Sequence, residues 1–317
     1  MNARRRFLGL LLTTAAPLAW AQQAPATSAG AGTPAVPARA ETLAALFEDE
    51  GLPARLAADF DRIDALTAQA ASAETDPERR ARRQRQHALT GPWLRAQFDW
   101  PTCLLPLATA AYQRVLSEDD AQALRAYYRT PAGRLAAREV PAAITGAHAA
   151  LAQHLQAQAR AWQQAAVEGA EPAPPAPRPP PDGHERMAGE LLLLIAPQST
   201  YAEVVQAKMK ALDAIEPHWP ADSTRAQQRA WRQQVNARMR AFEAPEAMPV
   251  LAQAIAARLS QADLQTVLDA ERTPARTAQR ALAGQAAQAM RQDVQAWQSR
   301  QLMPELQRRL RDGAELQ

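Results

Sequence analysis

The chain has 317 residues, 22% charged and 47% hydrophobic, with 36 Lys and Arg against 33 Asp and Glu. That length has room for two modest domains, and the near balance of charge removes the basic excess on which nucleic-acid binding depends. With 12 glycines and with Ala, Leu, Arg, Gln and Glu prominent, the composition favours helices packed on helices over sheet folds.

The N-terminus reads as a secretory signal. "MNARRR" is a basic n-region, "FLGLLLTTAAPL" an apolar h-region, and "AWA" before Gln22 a small-x-small cleavage site. Residues 1–21 are therefore expected to be removed after Ala21 during export to the periplasm. "RRRFLG" fits a twin-arginine signal as well as an ordinary n-region, so both export routes stay open. Cleavage would remove Arg4, Arg5 and Arg6 and no acid, which leaves a formally neutral mature chain. Residues 22–40 are mostly Ala, Pro, Thr, Ser and Gly and read as a flexible tether. The lone cysteine, Cys103 in "TCLLPL", has no internal disulfide partner and reads as a buried, inert thiol. After the signal no apolar run approaches the roughly 20 residues of a membrane span; "LLLLIA" at 191–196 is too short. No transmembrane anchor is expected after cleavage.

The body of the chain predicts helices. "PERRARRQRQH" at 77–87 carries dense positive charge with almost no apolar face; it reads as a solvated helix or loop rather than a docking site for anionic lipid. Trp93 and Trp100, seven apart, fall on one face if their segment is helical. Leu104, Ala108, Tyr112 and Val115 keep helical spacing. Ser117 reads as an N-cap with Asp120 as its capping-box partner, and Glu118 and Asp119 complement the positive end of the helix dipole. Tyr128 shares the face of Leu124 and is expected in the core; Tyr127, about 100° away, is expected to be half exposed. Thr130 then caps a new helix with Pro131 in its first position, and Gly133 permits close packing one turn in. "EPAPPAPRPPPDG" at 171–183 holds seven of the 25 prolines and reads as a semi-rigid spacer, with a proline-rich ligand as the alternative.

The chain also repeats itself. "LSEDDAQALRAYYRTPAG" from Leu116 is echoed by "LSQADLQTVLDAERTPAR" from Leu259, 143 residues on. "IDAL" at 63–66 is echoed by "LDAI" at 212–215, and "RAWQQ" at 160–164 by "QAWQS" at 295–299. The expectation is an all-α fold of two related helical-bundle domains in tandem: 41–169 and a diverged copy, 185–317, joined by a Pro-rich linker over 170–184.

The first copy resembles a bacterial exported family known as domain of unknown function 2059. The residues that carry the resemblance are Ser117, Asp120, Tyr127, Tyr128, Arg129, Thr130, Pro131, Gly133 and Pro141. The second copy departs from the pattern: Ala270 and Glu271 stand for the tyrosines and Arg276 for Gly133. The resemblance implies a helical periplasmic protein and no particular reaction.

Residues that carry chemistry are sparse. The five histidines, His87, His148, His154, His184 and His218, lack the i, i+4 spacing of paired ligands. "HERMA" at 184–188 has Ala188 where a zinc motif needs its second His. No Gly-x-Ser-x-Gly elbow occurs, and capping explains "EDD" at 118–120. No catalytic, cofactor or metal residue is assigned. The reading is a non-catalytic interaction or scaffolding module of the cell envelope, with Tyr127 and Arg129 as its candidate surface and an envelope protein as partner. The alternative is a carrier of a hydrophobic small molecule or lipid in a bundle cavity. An enzyme, third, would need polar residues to converge from distant helices. Oligomeric state is open.

Overall fold

The computed structural model describes residues 36–72, 74–171, 179–215, 220 and 222–315. The expected signal peptide, most of the expected tether, His218 and much of the Pro-rich segment lie outside the described residues. Among the described residues the fold is all-α, with thirteen α-helices and no strand. In chain order these are α1 (Ala40–Asp49), α2 (Leu52–Ser72), α3 (Pro77–Gln97), α4 (Leu105–Gln113), α5 (Glu118–Tyr128) and α6 (Pro131–Glu168). Then come α7 (Gly183–Ile195), α8 (Pro197–Ile215), α9 (Arg225–Ala241), α10 (Ala244–Ala256), α11 (Gln261–Glu271), α12 (Pro274–Trp297) and α13 (Met303–Glu315). Short π-helical stretches, Trp100–Leu104 and Gln298–Leu302, precede α4 and α13.

The helix boundaries follow local chemistry. Asp76 caps α3 by accepting from the Glu78 and Arg79 amides, and Asp182 caps α7 through the Glu185 amide. Thr224 and Gln227 form a capping box on α9. Gly51, at φ +68°, supplies the left-handed residue that turns α1 into α2. The last residues of the expected tether are ordered by pairing: Ala38 donates its amide to the Leu116 carbonyl (3.0 Å), and Glu118 donates to that of Val36 (3.2 Å).

The helices form two compact units, and their borders do not follow the two sequence copies. One unit holds the described residues up to Thr130 together with those from Thr277 onward; the other is the continuous stretch Pro131–Arg276. In the first unit, Leu43, Leu46 and Phe47 of α1 are buried with Ala108, Ala111 and Tyr112 of α4 and Ala121 and Leu124 of α5. Ala286, Ala287 and Met290 of α12 complete that core. Phe47 meets the edges of Trp100 and Tyr112 at centroid distances of 5.6 and 4.8 Å. In the second unit α6 packs on α8, α9, α10 and α11, and α7 packs on α10 and α11.

In chain order α1–α6 correspond to α7–α12, and the last member of each set lies with the other set. The long helix of the first copy completes the unit built from the second, and the reverse. The two helices bury corresponding positions. On the "RAWQQ"/"QAWQS" alignment, Ala147, Leu151, Leu155 and Ala159 correspond to Leu282, Ala286, Met290 and Val294. The first four are fully buried in the second unit. Ala286 and Met290 are buried in the first unit, with Leu282 and Val294 packed against them. This differs from the tandem arrangement expected from the repeat. Sequence similarity identifies like helices but does not specify which copy of the long helix fills which seat. The Pro-rich segment, whose flanking helices α6 and α7 both belong to the second unit, joins two helices of one unit.

Truncating a buried Met or Leu to Ala costs about 2–5 kcal/mol where the surroundings cannot collapse. Met290→Ala should therefore speed amide hydrogen exchange in α1 and α4 and leave α7, α10 and α11 unchanged. Leu155→Ala should do the opposite. Accelerated exchange in α7, α10 and α11 on Met290→Ala would show that α12 sits with its own copy.

Candidate functional site

The residues of the first copy's signature meet at the start and end of α5. Ser117 and Asp120 form a reciprocal capping box: the Asp120 amide donates to Ser117 Oγ (3.1 Å), and the Ser117 amide donates to Asp120 Oδ2 (3.0 Å). The echo repeats part of it, since the Asp263 amide donates to Ser260 Oγ at 3.1 Å. Glu118 gathers four donors: the Arg39 amide and Arg39 Nη2 (2.8 Å each), Thr42 Oγ1 (2.7 Å) and Gln122 Nε2 (2.8 Å). The Arg39 side chain first, then its amide, Thr42 and Gln122, hold the Glu118 carboxyl far below its ordinary value of 4.5. Gln261 stands at this position in the second copy, so the clasp on the segment before α1 belongs to the first copy alone.

At the far end of α5, Arg129 Nε and Arg125 Nε both donate to Asp49 Oδ2 of α1, at 3.1 and 3.0 Å. Arg272, the echo of Arg129, grips Glu190 of α7, with Nη2 at 2.6 and 2.7 Å from the two carboxylate oxygens. In each copy this arginine ties the fifth helix to the first. Of the two residues expected on a binding surface, Arg129 is exposed and bonded to Asp49, and Tyr127 is buried. Tyr128 is half-buried against the core. The expected depths of the tyrosines are thus reversed. Position i+3 from Leu124 lies on the buried face as well as i+4, and α5 buries Ala121, Leu124 and Tyr127. Thr130 Oγ1 donates to the Tyr127 carbonyl (2.7 Å), as Thr273 Oγ1 does to that of Ala270 (2.9 Å). Pro131 opens α6, and Gly133 and Pro141 are buried along it.

Two departures of the second copy belong together. Glu271 stands for Tyr128 and Arg276 for Gly133, and Arg276 Nη2 lies 3.0 Å from Glu271 Oε1, with side-chain exposures of 10% and 2%. A buried ion pair thus replaces the tyrosine–glycine combination, so the second copy is re-specified at this corner. The sequence carried the signal: two non-conservative changes of opposite charge five residues apart, on either side of the α11–α12 corner.

Other sequence features take structural roles. The "PERRARRQRQH" arginines are exposed on α3, with Arg83 paired to Glu74 at 3.0 Å. Trp93 lies in α3 beneath the Arg309 guanidinium (4.9 Å to the ring centroid), whereas Trp100 lies beyond the helix break. His184 Nε2 lies 2.7 Å from the Leu259 carbonyl oxygen. His148 is paired with Glu203 at 4.0 Å; burial lowers its pKa and Glu203 opposes that shift. Burial, with Asp99 adding, pushes the half-buried Cys103 thiol up, away from a reactive thiolate. Among the described residues no group of three or more His, Cys, Asp and Glu could hold a metal ion.

Two features stand outside these roles. An apolar cleft of about 310 Å³ lies between α2 and α3, lined by Phe60, Ile63, Thr67, Gly91, Pro92 and Leu94, with His87, Asp64 and Arg95 also on its wall. His87 Nε2 and Asp64 Oδ1 are 2.8 Å apart, and Arg95 pairs with Asp61. The second feature is an apolar stripe on α8. Tyr201, Val205 and Met209 are 67, 44 and 61% exposed, one turn apart, while Thr200, Val204, Ala207 and Ala211 bury the other face. Both were readable as spaced apolar residues, but spacing alone does not separate a core-facing stripe from a second, solvent-facing one.

Residues 104–167 match the family described as "Uncharacterized protein conserved in bacteria (DUF2059)". The chain matches no curated protein and no solved structure. The DUF2059 segment spans α4, α5 and α6, so it contributes to both units. Among the described residues no helix is long and apolar enough to cross a membrane.

Removing one partner of a buried ion pair costs about 3–5 kcal/mol, whereas replacing both by well-packed residues is often neutral. Glu271→Tyr and Arg276→Gly should each destabilise the second unit by that order, and the double variant should recover at least half of the loss. Urea unfolding of the four proteins measures the coupling; additive losses would contradict it. Glu118, whose folded pKa is depressed, contributes stability that is present above its ordinary value of 4.5 and lost as pH falls through the folded value. Glu118→Gln should therefore speed hydrogen exchange at the Ala38 and Arg39 amides already at neutral pH, with no matching change in α11.

Proposed function

We propose that the chain is an exported protein of the bacterial envelope that acts by binding, without a catalytic centre, and that the stripe on α8 is its docking face. The exposure of Tyr201, Val205 and Met209 along one helix face carries this reading. Large apolar side chains grouped on a surface mark interaction sites, and Tyr and Met are enriched at them. The polar groups of the α5 corner support it indirectly: Ser117, Asp120, Glu118 and Arg129 are engaged in caps and ion pairs that hold the fold. Export to the periplasm rests on the signal-like N-terminus, and the partner is an envelope protein that presents an apolar surface.

A photo-crosslinking amino acid at Tyr201, introduced in the native host, should give a discrete protein adduct. Tyr201→Ser with Met209→Ser should weaken capture of that partner at least tenfold, since anchor residues at such faces each contribute about 2 kcal/mol or more. Absence of any adduct at Tyr201, Val205 and Met209 alike would contradict the reading.

The α2–α3 cleft favours a second reading, carriage of a small hydrophobic molecule. Its volume of about 310 Å³ lies at the lower end of ligand pockets. Native mass spectrometry of protein from its own host should show a bound species that Gly91→Leu, which projects into the cleft, removes. An empty spectrum for the unaltered protein would dismiss this second reading.

A further inference from the structure

The arginines of α3 divide into two sets. After Glu78 this helix holds six arginines, one histidine and no acid. Its neighbours supply the acids: Arg79 pairs with Asp76, Arg83 with Glu74, His87 with Asp64 and Arg95 with Asp61. Arg80 Nε donates to the Glu74 carbonyl at 2.7 Å. Arg82 and Arg85 are exposed, and among the described residues neither side chain has an ion pair or a hydrogen bond. The density of charge in this segment reads as a solvated helix, but the pairing leaves its unneutralised charge on one side.

That side also carries apolar groups. Arg82, Arg85, Leu89 and Trp93 follow at i, i+3, i+7 and i+11 and span about a quarter of the helix circumference. Leu89 is 58% exposed and Trp93 is half-buried, with Pro92 and Ala96 exposed beside them. Thr90 and Leu94, the buried residues of α3, lie on another face. Arg309 of α13, stacked over the Trp93 ring, shares the single acid Glu305 with Arg308. Like charges one turn apart destabilise a helix slightly, and an anionic surface would remove that cost. A soluble polyanion would satisfy the arginines and leave Leu89 in water. A bilayer surface satisfies both, because cations meet headgroup phosphates while Leu and Trp enter the interfacial layer.

We infer that this face of α3 docks on the surface of an anionic lipid bilayer, with Arg82 and Arg85 on the phosphates and Leu89 and Trp93 in the interfacial layer. The attachment is reversible and separate from the α8 stripe, which belongs to the other unit.

Flotation with vesicles tests this on the chain from Gln22 onward, which retains every described residue and lacks the apolar signal. The chain should float with vesicles containing phosphatidylglycerol, float far less with pure phosphatidylcholine, and be released as salt is raised. Arg82→Gln with Arg85→Gln should weaken binding about thirtyfold, since each basic residue at such a surface contributes about fivefold. Arg225→Gln with Arg229→Gln, which removes the same charge from exposed positions of α9, should leave binding within about twofold, since charges away from the bilayer are screened. Leu89→Ser should weaken binding at low and high salt alike. Three outcomes would overturn the inference: no flotation with anionic vesicles at low salt, equal losses for the α3 and α9 variants, or binding to soluble polyglutamate as tight as to vesicles and indifferent to Leu89→Ser, which would assign the face to an acidic protein.

Discussion

The burial of the long helices holds this structure together. A 38-residue helix such as α6, with buried apolar positions along its length, cannot stand alone in water; most helical stability in proteins comes from packing an apolar face. α6 finds that packing on α8 and α10, and α12 finds it on the core of α1, α4 and α5. The caps, turns and ion pairs of the corners serve this arrangement. They fix where α5 and α11 end and where α6 and α12 begin, in both copies, with the same Arg-Thr-Pro sequence.

This explains why the echoed segment is so well preserved. Ser117 and Ser260, Arg129 and Arg272, and Thr130 and Thr273 make the same kinds of bond in their respective units. A residue that repeats and bonds alike in both copies is part of the scaffold. The differences carry the individuality of each copy. Glu118 clasps the segment before α1 in the first, and Glu271 with Arg276 replaces a tyrosine and a glycine in the second.

Much of the architecture was legible in the sequence. Apolar spacing located the helices, Ser117 with Asp120 and Thr130 with Pro131 marked their boundaries, and low glycine with prominent Ala, Leu, Arg, Gln and Glu predicted the all-α class. The exchange of α6 and α12 was not legible. Leu151, Leu155 and Ala159 match Ala286, Met290 and Val294 as apolar helix positions, and a spacing that both helices share does not say which seat each occupies. The depths of Tyr127 and Tyr128 escape the sequence for a related reason: both i+3 and i+4 from Leu124 are compatible with the core, and only the neighbouring helices decide between them. The functional surface was the least legible, because an exposed Tyr201–Val205–Met209 row and a buried row on the same helix look alike in one dimension.

The reciprocal placement of the long helices is most directly tested by methyl nuclear Overhauser contacts in full-length protein labelled at Met and Leu methyl groups. The structure predicts contacts from the Met290 methyl to the Leu43, Leu46 and Leu124 cluster of the first unit. Contacts from Met290 to Leu192, Leu251 and Leu268, which are buried in the second unit, would contradict it.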